Sequence, residues 1–152
     1  MKDKIHGWLL QTGLQVQETP LKEDSFRFSV RDQRGLGTEV FQPNALNDCV
    51  LIIAAVNVSP EHSQLLDTLP EAEREHFLWD LRLALDGAGT DFDGVQHPIK
   101  QILLSQQIYY DGLTKDTFFQ RWGAVRRAAL LCIWTINRRL NGLARMTAAS
   151  VN

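Results

Sequence analysis

The stretch from Gln101 to Gly142 constrains the fold most, because it predicts a strand, a short turn and a long helix that is apolar on two opposite sides. One apolar side of a helix packs on a core, whereas a second side needs another surface to cover it. We assign seven residues at helical spacing to the core side: Phe118, Trp122, Val125, Ala129, Ile133, Ile136 and Leu140. Leu131 and Trp134 fall on the opposite side, between Arg127 and Arg138. The chain is therefore expected to pack against a further surface.

The helical segment before this region also has two apolar sides. Residues 60–86 predict a kinked helix, because Ser59-Pro60 is typical of a helix start and Pro70 interrupts the pattern. We assign five residues to its core side: Phe77, Leu78, Leu81, Ala84 and Leu85. Trp79 and Leu83 fall on the far side, so this helix carries a second outer apolar pair.

The two helical regions have opposite charge. Residues 61–93 contain nine carboxylates and two arginines, whereas residues 115–145 contain seven basic residues and one carboxylate. The helices could lie side by side in one chain, pair across a homodimer, or form a groove for another protein. The candidate interface comprises six residues: Trp79, Leu83, Arg127, Leu131, Trp134 and Arg138.

The whole pattern predicts an α+β fold with a mainly antiparallel sheet, a short N-terminal helix, a kinked middle helix and a long C-terminal helix. The predicted element order is α-β-β-β-β-α-β-β-α. The uninterrupted run from Val50 to Val56 is typical of a central strand that is covered on both faces. At 152 residues the chain is most simply one domain, which we place at residues 1–143, with a flexible tail at 144–152.

Local sequence signals set the predicted ends of the helices. Asp3 is a candidate N-cap of the first helix, and Gly13 is a candidate left-handed stop. Thr68 and Glu71 have the spacing of a capping box. Before the last helix, Gly112 is expected to adopt a backbone conformation that a side chain would strain, and Thr114 is the candidate N-cap. Asn141-Gly142 is the candidate C-terminal stop of this helix.

Two junctions resemble those of a known family. Val58-Ser59-Pro60 leads from the central strand into a helix, and Ile108–Thr114 leads from the last strand into the final helix. Both resemble an uncharacterised prokaryotic family of the type III secretion chaperone-like fold group. The resemblance covers nearly the whole chain and implies a small α+β protein that is usually a homodimer. Because the quoted residues form junctions and caps, the resemblance implies no chemistry.

Composition and charge favour protein interaction over the alternatives. The chain is 44% hydrophobic with a net charge of −2, so no global charge favours nucleic acid or an acidic membrane. A small nucleic-acid-linked regulator that uses the basic final helix is the first alternative. A metal-dependent enzyme is the second, because Glu73, His76 and Asp80 have the spacing of ligands on one helix face. That architecture needs a second such motif, which the sequence lacks.

The two cysteines bear on the compartment. Cys49 and Cys132 lie singly in apolar segments, which is typical of buried reduced thiols rather than a disulfide framework. The N-terminus lacks the apolar region of a signal peptide, and no apolar run is long enough to cross a bilayer. We therefore expect a cytoplasmic, self-associating interaction or chaperone-like domain, with a possible protein client and with no catalytic residue, cofactor or metal.

Overall fold

The computed structural model describes residues 1–150 of the chain. Within these residues the helices are α1 (Lys2–Gln11), α2 (Pro60–Asp67), α3 (Glu71–Gly87) and α4 (Lys115–Ser150). The strands are β1 (Gln15–Glu18), β2 (Asp24–Arg31), β3 (Gly37–Pro43), β4 (Cys49–Asn57), β5 (Asp91–Asp93) and β6 (Gln101–Tyr109). The predicted α+β class and element order are confirmed, with the kinked middle helix divided into α2 and α3 at Pro70.

The six strands form one antiparallel sheet in the order β1-β2-β3-β4-β6-β5. The central position of β4 agrees with the prediction, but its two faces differ. Val50, Ile52, Ala54 and Val56 are buried, whereas the alternate residues in 51–55 are half-buried or exposed. The prediction that both faces are covered is therefore wrong. The aliphatic run shows that both faces of β4 are apolar, but it does not show that a layer of structure covers each face.

The chain divides into two compact units. Unit 1 comprises Met1–Ala54 and Ser105–Arg126, and unit 2 comprises Ala55–Leu104 and Arg127–Asn152. Strands β4 and β6 and helix α4 contribute residues to both units.

The core of unit 1 forms where α1 and the first half of α4 pack against the sheet. Ile5 and Leu9 of α1 are fully buried, and the Trp8 ring lies 5.9 Å from the ring of Phe118 on α4. The Trp122 indole Nε1 donates to Thr38 Oγ1 at 2.9 Å. These contacts confirm that the stripe containing Phe118 and Trp122 faces the core.

Unit 2 contains α2, α3 and the second half of α4. Phe77, Leu78, Leu81 and Leu85 of α3 are buried as predicted, but Ala84 is exposed, so its assignment to the core side is wrong. Arg82 donates from Nε to the Val95 carbonyl at 2.8 Å. This contact places the segment after β5 against the side of α3 that carries Leu78 and Arg82, which lie one turn apart, and not against Ala84.

At the N-terminal ends of α1, α2 and α3, only some of the predicted capping residues form a cap. Helix α1 begins at Lys2, so the cap predicted at Asp3 is wrong; Asp3 lies in the first turn, near the positive end of the helix dipole. Ser59 caps α2 as predicted, because its Oγ accepts from the His62 amide at 3.2 Å. Thr68 instead donates to the Leu65 carbonyl at 2.6 Å at the end of α2, so the capping box with Glu71 is wrong.

The ends of α4 also differ from prediction in part. The Thr117 amide donates to Thr114 Oγ1 at 3.1 Å, which confirms the cap. Gly112 lies in a 3₁₀ turn without a positive φ, so the predicted strain is wrong. The helix continues through Asn141-Gly142 because the following residues are mostly strong helix formers, so the predicted stop is wrong. The tail expected at 144–152 is helical as far as Ser150, and residues 151–152 lie outside the described residues.

Candidate interaction surface

The six residues predicted as an interface lie on α3 and α4 of unit 2, and we call them the outer helix surface. Its apolar residues remain uncovered: Trp79 is 56% exposed, Leu83 is 64% exposed and Trp134 is 59% exposed. Leu131 is half-buried, and the remaining two, Arg127 and Arg138, are exposed. Exposed tryptophans are unusual in a protein surface that meets only water, so this surface is the candidate site.

On α3, Trp79 is held in place by a cationic side chain. The Arg82 guanidinium lies 4.8 Å from the centre of the Trp79 ring, within the range of a cation–π contact. Arg82 also donates to the Val95 carbonyl and lies 3.9 Å from a Glu75 carboxylate oxygen. Because Arg82 is anchored at both sites, the ring is pre-organised on the surface of α3.

Between α3 and α4 runs a groove of about 410 Å³. Phe77 and Asp80 line it from α3, and Arg138, Gly142 and Met146 are among the residues that line it from α4. Sequence patterns missed Met146, which is 71% exposed, because the helix was expected to end at Gly142. The helix formers after Gly142 were the signal that could have found it.

The two helices do meet within one chain, in partial agreement with the side-by-side alternative. Arg139 of α4 lies 3.8 Å from a Glu73 carboxylate oxygen of α3. This contact does not cover Trp79 or Trp134. Within residues 1–150, no carboxylate lies within ion-pair distance of Arg127 or Arg138.

Other basic residues of α4 are already engaged in contacts within the chain. Lys115 donates to Gln11 at 2.7 Å, Arg121 donates to Gln106 at 3.0 Å, and Arg126 donates to Asp32. Together with Arg139, four of the seven basic residues counted in the sequence therefore have partners. The helix offers less free positive charge to a phosphate backbone than its sequence indicates.

The candidate metal ligands do not form a common site. His76 lies 3.4 Å from Asp80, but both side chains are solvent-exposed, and Glu73 is directed to Arg139. Among the described residues, no group of three or more His, Cys, Asp and Glu side chains is placed to hold a metal ion.

Both cysteines are free and buried, as predicted. Burial raises the pKa of Cys132 to about 12. Burial also raises the pKa of Cys49, although a hydrogen bond from Gln107 at 3.3 Å opposes the shift. Neither thiol is set up as a nucleophile, since the reactive form of cysteine is the thiolate.

The sequence matches a family model over residues 1–136, under the description "Uncharacterized conserved protein (DUF2299)". The chain belongs to this family. The expected resemblance to an uncharacterised family is thus correct at the level of DUF2299. None of the curated proteins matches the sequence.

Three solved structures are similar to this DUF2299 chain. An uncharacterized protein from Methanothermobacter thermautotrophicus shares 31% identity with a TM-score of 0.83, covering 91% of this chain and 98% of that one. The ExsC-ExsE complex contains a chain with 18% identity and a TM-score of 0.54, covering 91% of this chain and 94% of that one. YbjN from E. coli, described as a candidate transcription regulator, shares 15% identity with a TM-score of 0.51, covering 84% and 87%. The last two show a shared fold alone.

A search of the described helices finds none that is both long and apolar enough to cross a membrane.

Proposed function

We propose that this DUF2299 chain is a protein-interaction domain that forms a homodimer through the outer helix surface. The observation that carries the proposal is the exposure of Trp79, Leu83 and Trp134, each more than half accessible on two neighbouring helices of unit 2. Aromatic residues flanked by arginine are typical of the centres of protein interfaces. The two buried free cysteines further support a reducing compartment, and we propose the cytoplasm.

The apolar area is large enough to anchor an association. Covering these three side chains removes on the order of 300 Å² per copy from water, or about 7 kcal/mol at about 25 cal/mol per Å² before ordering costs. A stable interface usually buries about 800 Å² per partner, so polar residues around the apolar centre must contribute the remaining area.

The charges of α3 and α4 favour one orientation of the two copies in the proposed dimer. Trp79 and Leu83 lie on acidic α3, beside Glu75 and Asp86, whereas Trp134 lies on basic α4. Two α4 surfaces facing each other would bring arginines together at a cost in free energy. We therefore propose that α3 of one copy faces α4 of the other, which forms the same contact twice about a two-fold axis.

Sedimentation velocity of matched variants tests this proposal. Leu83→Glu places a charge at the centre of the contact and should convert a dimeric parent to a monomer. Leu10→Glu is the control, because Leu10 is a 55% exposed leucine on a helix of unit 1 and the same change there should leave the dimer intact. Trp134→Glu should reproduce the effect from the other helix.

A monomeric parent at tens of micromolar would reject self-association through this surface. Equal dissociation by Leu10→Glu and Leu83→Glu would also reject it. Circular dichroism of each variant should match the parent, because all three positions are more than half exposed.

A further inference from the structure

We propose that the outer edge of β6 in unit 1 is a docking site for an extended segment of another polypeptide, which binds by adding a strand to the sheet. This edge lies in residues 105–109 and is separate in sequence from the outer helix surface. The proposal does not depend on self-association.

The edge is open because β6 is much longer than its outer neighbour. Strand β6 has nine residues and β5 has three. β5 lies at the Gln101 end of β6, since an added Cβ on Gly94, directly after β5, would meet the Gln101 carbonyl oxygen at 2.0 Å. Among the residues that the structure describes, no strand flanks the outer side of β6 at Gln107 and Tyr109.

The backbone groups at this end alternate in direction. The Tyr110 amide donates to the Asp48 carbonyl and the Val58 amide donates to the Lys100 carbonyl, each at 2.8 Å, which fixes the antiparallel pairing of β6 with β4. Even-numbered residues of β6 therefore direct their N–H and C=O groups towards β4. Ser105 and Gln107 direct both groups outward, where a further strand can pair with them. Tyr109 directs its N–H outward, whereas its carbonyl accepts the first hydrogen bond of the 3₁₀ turn that follows.

The two open edges of the sheet, along β1 and along the part of β6 that β5 does not cover, differ in protection. At the β1 edge, Glu18 forms an ion pair with Lys2 at 2.7 Å, and Pro20 follows the strand. The β6 sequence from Gln101 to Tyr109 contains no charged residue, proline or glycine. Proteins usually prevent unwanted pairing at strand edges with such residues, so the β6 edge is suited to accept a strand.

A groove of about 450 Å³ lies beside this edge and gives the added segment room. Gln107 and Tyr109 line it from β6, and Gln120, Arg121 and Ala124 line it from α4. At about 3.4 Å per residue, the edge accommodates a segment of roughly five residues. Because the lining combines polar side chains of Gln120 and Arg121 with the apolar Ala124, alternate side chains of the segment that point to α4 should be small or weakly polar.

A peptide fits this site better than a second copy of the chain. Stable dimers bury about 800 Å² per partner, and one five-residue edge with a single groove supplies only part of that area. An extended peptide needs no larger contact, because its main-chain hydrogen bonds supply affinity and the groove supplies selectivity.

Fluorescence anisotropy with a labelled Thr-Val-Thr-Val-Thr peptide tests the site on the full chain. Gln107→Pro removes the outward amide donor, whereas Gln107→Ala removes only the side chain and is the matched control. We expect the peptide to bind the parent and Gln107→Ala, and to bind Gln107→Pro at least about tenfold more weakly. A peptide with every amide N-methylated should not bind, although it is more apolar.

Amide hydrogen exchange of the parent protein tests the same site without a variant, in case Gln107→Pro fails to fold. In the parent, the Gln107 and Tyr109 amides should exchange rapidly and become protected on addition of peptide, while Ile108 stays protected throughout. Equal binding by Gln107→Pro, binding of the fully methylated peptide, or no binding to the parent at millimolar peptide would each overturn the proposal. Protection of Gln107 that rises with protein concentration alone would assign the edge to a second copy and overturn it too.

Discussion

Asp32 is a buried carboxylate that joins the β2–β3 turn to α4 in unit 1. One carboxylate oxygen accepts from the amides of Arg34 at 2.8 Å and Leu36 at 3.0 Å, and the other accepts from the Arg126 guanidinium. Burial alone would raise its pKa, but the hydrogen bonds from Arg126, Leu36 and Arg34 outweigh burial, so the pKa of Asp32 lies below its usual value. The ionised carboxylate therefore stabilises the fold.

We expect Asp32→Asn to lower the free energy of unfolding by about 1 to 2 kcal/mol at pH 7, because the charge-assisted bond to Arg126 is lost. A lowered pKa in the folded state stabilises the protein above the unfolded pKa of about 4, and that stability is lost as the pH falls through the folded pKa. The difference between parent and variant should thus shrink between about pH 5 and pH 2.

Urea unfolding across that pH range measures the difference. The control is Asp48→Asn, because Asp48 is exposed and its loss should change the free energy of unfolding little. A gap between the parent and Asp32→Asn that stays constant down to pH 2 would contradict the role of the ionised group.

At the scale of elements, the start of α4 is held by a reciprocal pair of threonines. The Thr117 amide donates to Thr114 Oγ1, and the Thr114 amide donates to Thr117 Oγ1 at 2.9 Å. We expect Thr114→Ala to cost about 1 kcal/mol, as removal of a helix cap usually does. Because the two hydroxyls act together, the double variant Thr114→Ala/Thr117→Ala should cost less than the sum of the single variants. Chemical denaturation of all three tests this, and full additivity would contradict the pairing.

Gly142 tests whether α4 continues beyond the sequence-predicted stop. It lies inside the helix without a positive φ, and an added Cβ would have no atom within 4 Å. Gly142→Ala should therefore stabilise the protein by about 0.5 to 1 kcal/mol. Gly94→Ala is the opposite case, because Gly94 has a φ of 87° and its Cβ would clash with a backbone oxygen. Thermal melts should separate the two, and destabilisation by Gly142→Ala would place a left-handed helix end there.

Local sequence signals predicted where helices and strands form better than they predicted which neighbouring structure covers them. Ser59 and Thr114 were found because a side-chain cap depends on the next three residues alone. Thr68 has a cap-like sequence, but its hydroxyl serves the end of α2 instead. The outer face of β4 shows the other limit, since periodicity reports which positions are apolar and does not report which layer covers them. The open end of β6 depends on the shortness of β5, which composition does not encode.

For the whole molecule, two kinds of surface remain available after folding. The outer helix surface in unit 2 is apolar with charged flanks, and the β6 edge in unit 1 offers backbone hydrogen bonds. These surfaces suit different partners: a complementary folded face for the first and an extended chain for the second. A domain with both can self-associate and still bind a client, which is the arrangement that we propose for this DUF2299 chain.

Charge exchange between two variants tests the proposed dimer directly. Arg127→Glu/Arg138→Glu reverses the charge on the outer side of α4, so that it becomes acidic like α3. Glu75→Lys/Asp86→Lys reverses the charge beside Trp79 and Leu83 on α3, so that it becomes basic like α4. Each variant alone should be monomeric, because like charges meet in both contacts of its homodimer. When the two are mixed, acidic α4 meets basic α3 in one contact and basic α4 meets acidic α3 in the other.

A one-to-one heterodimer should therefore form in sedimentation equilibrium. The heterodimer should weaken as salt shortens the Debye length from about 10 Å at 0.1 M to about 3 Å at 1 M. Failure of the mixture to associate, while each variant keeps the circular dichroism of the parent, would reject the pairing of α3 with α4 across the dimer.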